Sequence, residues 1–295
     1  MDETREGGGV THCAECGSAL SGTLVSLGRP FCYRCTNGEC ERYAYVVDDT
    51  SGMACEKGRG WAVYHGDCLD VLRMAPDKSC VIVTDFPYQV GKQIANDDLP
   101  WEEYLPWLDE RIAECRRVGK RVFSTFATTR VIRFIRETTQ PPDYLLHWHK
   151  PFLLHDRSLN GSPFIAHGEQ ILYWGPRSAK EAGKRGYDSF AFNSLWPRER
   201  KILGIEHPTP KPVELYQAAL EFWADHEGTV DLVVDPFCGS GTTLIACVRL
   251  GLPCIGIDIE ERWVSETVAR LRAEEQQTCL GDLKRGQGAL FGGAK

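Results

Sequence analysis

The stretch Val233-Val234-Asp235-Pro236-Phe237-Cys238-Gly239-Ser240-Gly241-Thr242-Thr243 decides the fold. An apolar run closes on an acid and passes through two glycines into a segment with helical spacing, which marks a strand turning tightly into a helix. Glycine has no Cβ, so the turn lets backbone approach a ligand closely. The next apolar run, Pro253-Cys254-Ile255-Gly256-Ile257-Asp258, ends on a second acid. It follows the glycines by about 20 residues, where α/β nucleotide sites place the carboxylate that takes a ribose diol.

The letters also exclude two phosphate sites. Leu244 stands where a dinucleotide fingerprint needs its third glycine, and no Gly-x4-Gly-Lys-Ser/Thr occurs. A cofactor with a ribose, an adenine and a zwitterionic amino acid but no pyrophosphate fits better, and S-adenosylmethionine has that composition. Gly239, Gly241 and Thr242 are its expected backbone cradle.

Outward from this stretch, short apolar runs at Val81–Val83, Val122–Phe126, Tyr144–Trp148, Ile171–Trp174, Val230–Val234 and Cys254–Ile259 alternate with helical periods near 101–117, 129–138, 211–224, 242–250 and 261–274. That alternation predicts an α/β fold, a parallel sheet with helices on both faces. The 295 residues suffice for one large domain with an appendage. We place the large domain at 59–275. Residues 1–58 carry many cysteines and glycines and few large apolar side chains, so they need a staple. Cys13-x2-Cys16 and Cys32-x2-Cys35 have the spacing of a four-thiolate zinc site, each pair expected on a tight turn. This predicts a small zinc-ribbon-like module.

The chain has 13 cysteines, a net charge of -7 and no run of about 18 apolar residues. Its start, Met1-Asp2-Glu3-Thr4-Arg5-Glu6, is acidic where a signal peptide is basic and then apolar. We expect a cytoplasmic protein with no membrane span, its thiols free or on metal. The net charge argues against binding nucleic acid through the whole surface, so local basic clusters matter more. One gathers Arg111, Arg116, Arg117, Lys120, Arg121, Arg130, Arg133 and Arg136; another gathers Arg177, Lys180, Lys184, Arg185, Arg198, Arg200 and Lys201.

A second strand-to-turn stretch, Val81-Ile82-Val83-Thr84-Asp85-Phe86-Pro87-Tyr88, carries different chemistry. Asp85 falls at the carboxyl end of its strand, the edge where open α/β sheets bind ligands. The exocyclic amine of adenine or cytosine is a poor nucleophile because its lone pair is delocalised into the ring. The Asp85 carboxylate and the Phe86 carbonyl can accept its two N–H groups and draw it toward tetrahedral geometry as it attacks a methyl sulfonium. Tyr88 offers a ring for an extruded base, and Pro87 stiffens the turn. Methylation at cytosine C5 needs a cysteine nucleophile, and the sole Pro-Cys, Pro253-Cys254, lies inside the proposed ribose strand.

With these stretches in order, the chain resembles the β-class of DNA amino-methyltransferases. The resemblance rests on Tyr64-His65-Gly66-Asp67-Cys68-Leu69, then Asp85-Phe86-Pro87-Tyr88, then His207-Pro208-Thr209-Pro210-Lys211-Pro212, then the glycine stretch, and spans about 61–275. It implies a Rossmann-like seven-stranded methyltransferase sheet and transfer of a methyl group to DNA. It also implies Asp67 and Cys68 near the cofactor adenine, Asp258 on the ribose, and Thr209, Lys211, Asp235, Phe237 and Gly239 at the methionine end. The family's usual Asp-Pro-Pro-Tyr has Phe86 at its second position here. Asp rather than Ser at position 85 favours adenine N6 over cytosine N4 by family habit. An inactive methyltransferase fold that only binds nucleic acid is the non-enzymatic alternative.

Target recognition is expected in a loop-rich insert at about 154–201, where basic residues alternate with Tyr187, Phe190, Phe192 and Trp196. The stretch 276–295 is polar and Gly-rich and reads as a flexible tail. Within it, Gln287, Leu290 and Phe291 resemble the peptides that dock on bacterial sliding clamps. His147 and His149 share one strand face, where packing or substrate contact outweighs a metal role.

Overall fold

The computed structural model describes residues 53–151, 168–176, 188–227 and 232–284, together with three short strands nearer the start. Those strands, β1 (Leu20–Gly22), β2 (Cys32–Cys35) and β3 (Tyr43–Tyr45), form an antiparallel sheet in the order β1-β2-β3. The expected metal ligands Cys13 and Cys16 lie outside the described residues, as do Gln287, Leu290 and Phe291. Cys32 and Cys35 lie within β2, so the second pair sits in a strand rather than on the expected tight turn. Among the described residues no group of three or more His, Cys, Asp or Glu is arranged to hold a metal, and no helix is long and apolar enough to cross a membrane.

The main sheet is built from β4 (Ala54–Gly58), β5 (Trp61–His65), β6 (Cys80–Asp85), β7 (Gly119–Phe126), β8 (Tyr144–His149), β9 (Gly168–Trp174), β10 (Ser189–Ala191), β11 (Val233–Asp235) and β12 (Cys254–Asp258). Its order is β10-β8-β9-β7-β6-β11-β12-β5-β4. Among the described residues it therefore holds nine strands, not the expected seven, because β4 and β10 extend the two edges. Neither carries the apolar run that identifies a buried strand: β4 reads Ala-Cys-Glu-Lys-Gly and is largely exposed, and β10 is three residues long. Nor is the sheet all parallel. β9 runs antiparallel to β7 and β8, and β4 antiparallel to β5.

Among the described residues seven helices accompany it: α1 (Cys68–Leu72), α2 (Trp101–Val118), α3 (Val131–Glu137), α4 (Pro197–Ile202), α5 (Val213–Glu227), α6 (Thr242–Leu250) and α7 (Glu261–Lys284). Strand alternation feeds two separate cores. Ala62, Tyr64, Ile82, Val122 and Val234 meet Leu72, Leu108, Ile112 and Phe134 on the face covered by α1, α2 and α3. Trp61, Val63, Val81, Val83 and Val233 meet Leu215, Tyr216, Leu244, Ile245 and Leu271 on the face covered by α5, α6 and α7. Burying both faces of the central strands leaves their ends as the one place for polar chemistry.

α7 continues to Lys284, through the first part of the stretch read as a tail. β9 falls inside the stretch read as an insert, so a strand of the sheet interrupts it. Of the aromatics expected there, Tyr187 lies outside the described residues, Phe190 packs edge-on against Phe123 at 5.9 Å and Phe192 joins the same core, while Trp196 stays exposed. The first basic cluster is largely spent on structure. Arg111 pairs with Asp67, Arg117 with Asp77 and Glu114, and Arg133 with Glu137.

Candidate active site at the switch point of the sheet

β6 crosses over to β7 on one side and β11 to β12 on the other, so the topological switch lies between β6 and β11. Asp85 and Asp235 end those two neighbouring strands, and Asp258 ends β12. A cleft of about 940 Å³, including its open mouth, lies at this edge and is lined by both the Asp85-to-Tyr88 turn and the Gly239 turn. Of the residues expected at a cofactor, Asp67, Cys68, Thr209, Lys211, Asp235, Phe237, Gly239, Thr242 and Asp258 also line it. Gly241 shapes the turn without facing the cleft.

The glycines are sterically required. Gly239 has φ +48, and a Cβ there would stand 2.9 Å from His207 Nε2; Gly241 has φ +75, and its Cβ would stand 2.6 Å from Thr267 Cγ2. Asp258 holds this turn, its Oδ2 accepting the Gly239 N–H at 2.9 Å and its Oδ1 the Glu260 N–H at 2.9 Å. Burial nevertheless raises its carboxyl to about 6. Asp235 is more enclosed. Its Oδ1 accepts from the Thr84 hydroxyl at 2.6 Å and from the Phe237 N–H at 3.1 Å, neither a cation, and burial raises it to about 7.

At the other end of the cleft, Asp67 caps α1 by accepting the Leu69 N–H at 2.9 Å and takes Arg111 Nη2 at 2.6 Å. The Arg111 guanidinium lies 4.3 Å from the Trp107 ring centroid, and Trp107 meets Phe237 edge-on at 5.9 Å. Cys68 beside them is buried, which pushes its thiol well above the ordinary range.

Asp85 engages three side chains. Its Oδ1 accepts from the Tyr88 hydroxyl at 2.5 Å and from the Thr125 hydroxyl, while Oδ2 accepts from Lys211 Nζ at 2.7 Å. Burial raises its carboxyl above the usual range against the pull of Lys211. Phe86 is buried edge-on against Phe237 and Trp174, at 5.5 and 6.5 Å. The ring thereby supplies by packing the restraint that a proline would supply covalently. The Pro87 carbonyl accepts from the Tyr104 hydroxyl at 2.5 Å. Asp97, 1% exposed, accepts four backbone N–H groups, from Tyr88, Gln89, Val90 and Lys92, at 2.7 to 3.2 Å. It fixes the chain that leaves Tyr88.

Sequence reasoning missed Asp97, Glu169, His207 and Glu260. Glu169 arrives because β9 is reversed: the start of an antiparallel strand falls at the carboxyl edge of its parallel neighbours. Glu169 Oε2 lies 2.9 Å from the Tyr88 hydroxyl, and Oε1 accepts from Lys150 Nζ at 2.5 Å. Burial would raise its carboxyl, yet Lys211 and Lys150 hold it below the ordinary range. His207 was visible in its His-Pro motif. Burial lowers it to about 3, so the ring is neutral near pH 7. Its Nδ1 accepts from the Thr209 N–H at 3.4 Å, which leaves Nε2 as the donor facing Gly239.

Comparison with known proteins bears on the fold and the family likeness. The fold is that of the α/β methyltransferases: PvuII DNA methyltransferase (cytosine-N4-specific) superposes with a TM-score of 0.53 at 19% identity, over 72% of this chain and 87% of that one. Residues 169–269 match the family described as DNA methylase, N6_N4_Mtase. The DNA adenine methyltransferase YhdJ of Escherichia coli (strain K12) is 27% identical over 249 residues, 71% of this chain and 82% of that protein. The type II methyltransferase M.BglII of Bacillus subtilis is 25% identical over 261 residues, 73% of this chain and 70% of that protein.

Proposed function

We propose that the protein transfers a methyl group from S-adenosylmethionine to the exocyclic N6 of an adenine turned out of DNA. The observation that carries this reading is the shared cleft: Asp85 and the Gly239 turn face one another across the switch point. The residues present fit the cofactor. Asp235 is a buried carboxylate whose hydrogen-bond partners are neutral, a suitable seat for the ammonium of an amino acid. The left-handed glycines allow close backbone approach, neutral His207 offers an N–H at that turn, and Trp107 with Phe237 provides apolar walls at the Asp67 end. When bound, S-adenosylmethionine supplies an electrophilic methyl sulfonium.

The protein's part is to orient and polarise the amine. The Asp85 carboxylate and Phe86 carbonyl would accept its N–H groups, raising lone-pair density on nitrogen, and one N–H proton would leave toward Asp85 as the methyl passes from sulfur to nitrogen, the broken bond's electron pair staying on sulfur. No covalent enzyme intermediate is needed. Asp at position 85 and the adenine activity named for the Escherichia coli relative support adenine. The same two acceptors would serve cytosine N4. Exposed Arg198 and Lys201 on α4, beside Trp196, are candidate DNA contacts; Arg200 instead braces the His207 and Pro208 carbonyls at 2.6 and 3.2 Å.

The test is Asp85→Ala. Cofactor affinity should stay within about twofold while methyl transfer to DNA from a methylation-free host falls at least about 100-fold. Full transfer by the variant would remove Asp85 from the chemistry.

The reading extends to the N-terminal segment, where Cys13, Cys16, Cys32 and Cys35 are assigned to a structural zinc. A sheet of three strands, none longer than four residues, is too small to hold itself without a staple.

A further inference from the structure

Two carboxylates and two ammonium groups meet around the Tyr88 ring. Lys211 Nζ lies 2.7 Å from Asp85 Oδ2, 3.6 Å from Glu169 Oε2 and 4.7 Å from the centroid of the Tyr88 ring. The Tyr88 hydroxyl stands 2.5 Å from Asp85 Oδ1 and 2.9 Å from Glu169 Oε2. Lys150 Nζ holds the other Glu169 oxygen at 2.5 Å and rests 4.4 Å from the Trp148 ring centroid. Lys211 is 6% exposed.

This arrangement crowds the seat of a bound base, since three of the carboxylate's roughly four acceptor sites are taken. Oδ1 of Asp85 already accepts two hydroxyls and Oδ2 accepts the ammonium, so an incoming amine competes with Lys211 for the carboxylate. The ammonium also lies over one face of the Tyr88 ring, where it would compete with a stacked base. Releasing it into the cleft unpaired would strand a buried charge, which is costly. A second acceptor is already in place. Glu169 Oε2 is less than one ångström farther from Lys211 than Asp85 is, and it already shares the Tyr88 hydroxyl. That hydroxyl has a single proton, so it can donate to only one carboxylate at a time.

We propose that Glu169 is a positioning residue that takes Lys211, and with it the Tyr88 hydroxyl, from Asp85 when the substrate base enters, freeing the Asp85 carboxylate and the Tyr88 face for the base. Lys211 is a counter-ion with two seats: on Asp85 when the site is empty, on Glu169 when it is filled. The inference rests on the proposed amine methylation. Lys150 keeps Glu169 ionised and in place; it does not follow Lys211.

Three variants of the full chain test it: Glu169→Gln, Glu169→Asp, and the charge-balanced pair Lys150→Met with Glu169→Gln, which keeps the buried charge even should the single change fold poorly. Each is loaded with S-adenosylmethionine and given DNA from a methylation-free host in single-turnover methyl transfer. Cofactor affinity should stay within about twofold throughout, Glu169→Gln should slow transfer about tenfold or more, Glu169→Asp should recover several-fold of that loss, and adding Lys150→Met should recover none. Wild-type rates in Glu169→Gln, or rescue by Lys150→Met, would reduce Glu169 to a partner of Lys150 and overturn the proposal. A wild-type protein that methylates no DNA amine would instead refute the proposed function.

Discussion

At the scale of single residues, the half of the cleft proposed for the cofactor is governed by buried carboxylates. Asp235 titrates near 7 and Asp258 near 6 because burial disfavours their ionised forms. Both values are raised above those of the unfolded chain, so both groups favour the folded state in acid, and that contribution is lost as pH rises through 6 and 7. A cation seated on Asp235 reverses the preference and draws its proton off. Affinity for S-adenosylmethionine should therefore rise by up to about tenfold per pH unit below pH 7 and flatten above it. Titration calorimetry at pH 6.5 in two buffers of different ionisation enthalpy should show protons released on binding. Asp235→Asn should bind weakly with no such release; an unchanged proton count in that variant would locate the titration elsewhere. Asp235 and Asp85 are readable in sequence because each ends an apolar run. Their raised carboxyls are not, since burial depends on α2, α5 and the neighbouring strands closing over them.

At the scale of elements, two turns hold the site. Gly241→Ala forces a left-handed φ on alanine and drives its Cβ toward Thr267, so it should lower stability by roughly 1 to 3 kcal/mol and weaken cofactor binding together. Asp97 lies on the other turn. Asp97→Ala leaves four backbone N–H groups without their acceptor, so methyl transfer should fall more steeply than cofactor affinity, because the loosened segment begins at Tyr88. Equal losses in both would show that Asp97 braces the whole cleft rather than Tyr88. Periodicity found α2, α6 and the start of α7 closely. It could not supply strand direction. An apolar run such as Ile171–Trp174 reads alike forward or reversed, and that reversal alone carries Glu169 to the carboxyl edge beside Asp85.

At the scale of the whole molecule, the sheet divides the labour. The switch between β6 and β11 makes the cleft, and helices on both faces leave it as the polar opening between two apolar cores. The motifs ending on Asp85 and Asp235 lie about 150 residues apart in the sequence and become neighbours because β6 and β11 pair directly. That convergence was legible from strand-ending acids. The edge strands β4 and β10 were not, because an exposed edge does not require the apolar alternation that betrays a buried strand. The N-terminal segment should carry one zinc per chain, lost in Cys13→Ser, and a chelator should unfold it while cofactor binding by the main domain persists. Metal analysis of purified protein checks this, and a metal-free chain with an ordered N-terminal segment would refute it. The central claim is methylation of an exocyclic base amine at the Asp85 edge of the cleft. Its most direct test is to incubate DNA from a methylation-free host with isotopically labelled S-adenosylmethionine, digest the DNA to nucleosides and weigh them. Label in N6-methyldeoxyadenosine is the predicted result; label confined to 5-methyldeoxycytidine, or absent from every nucleoside, would contradict it.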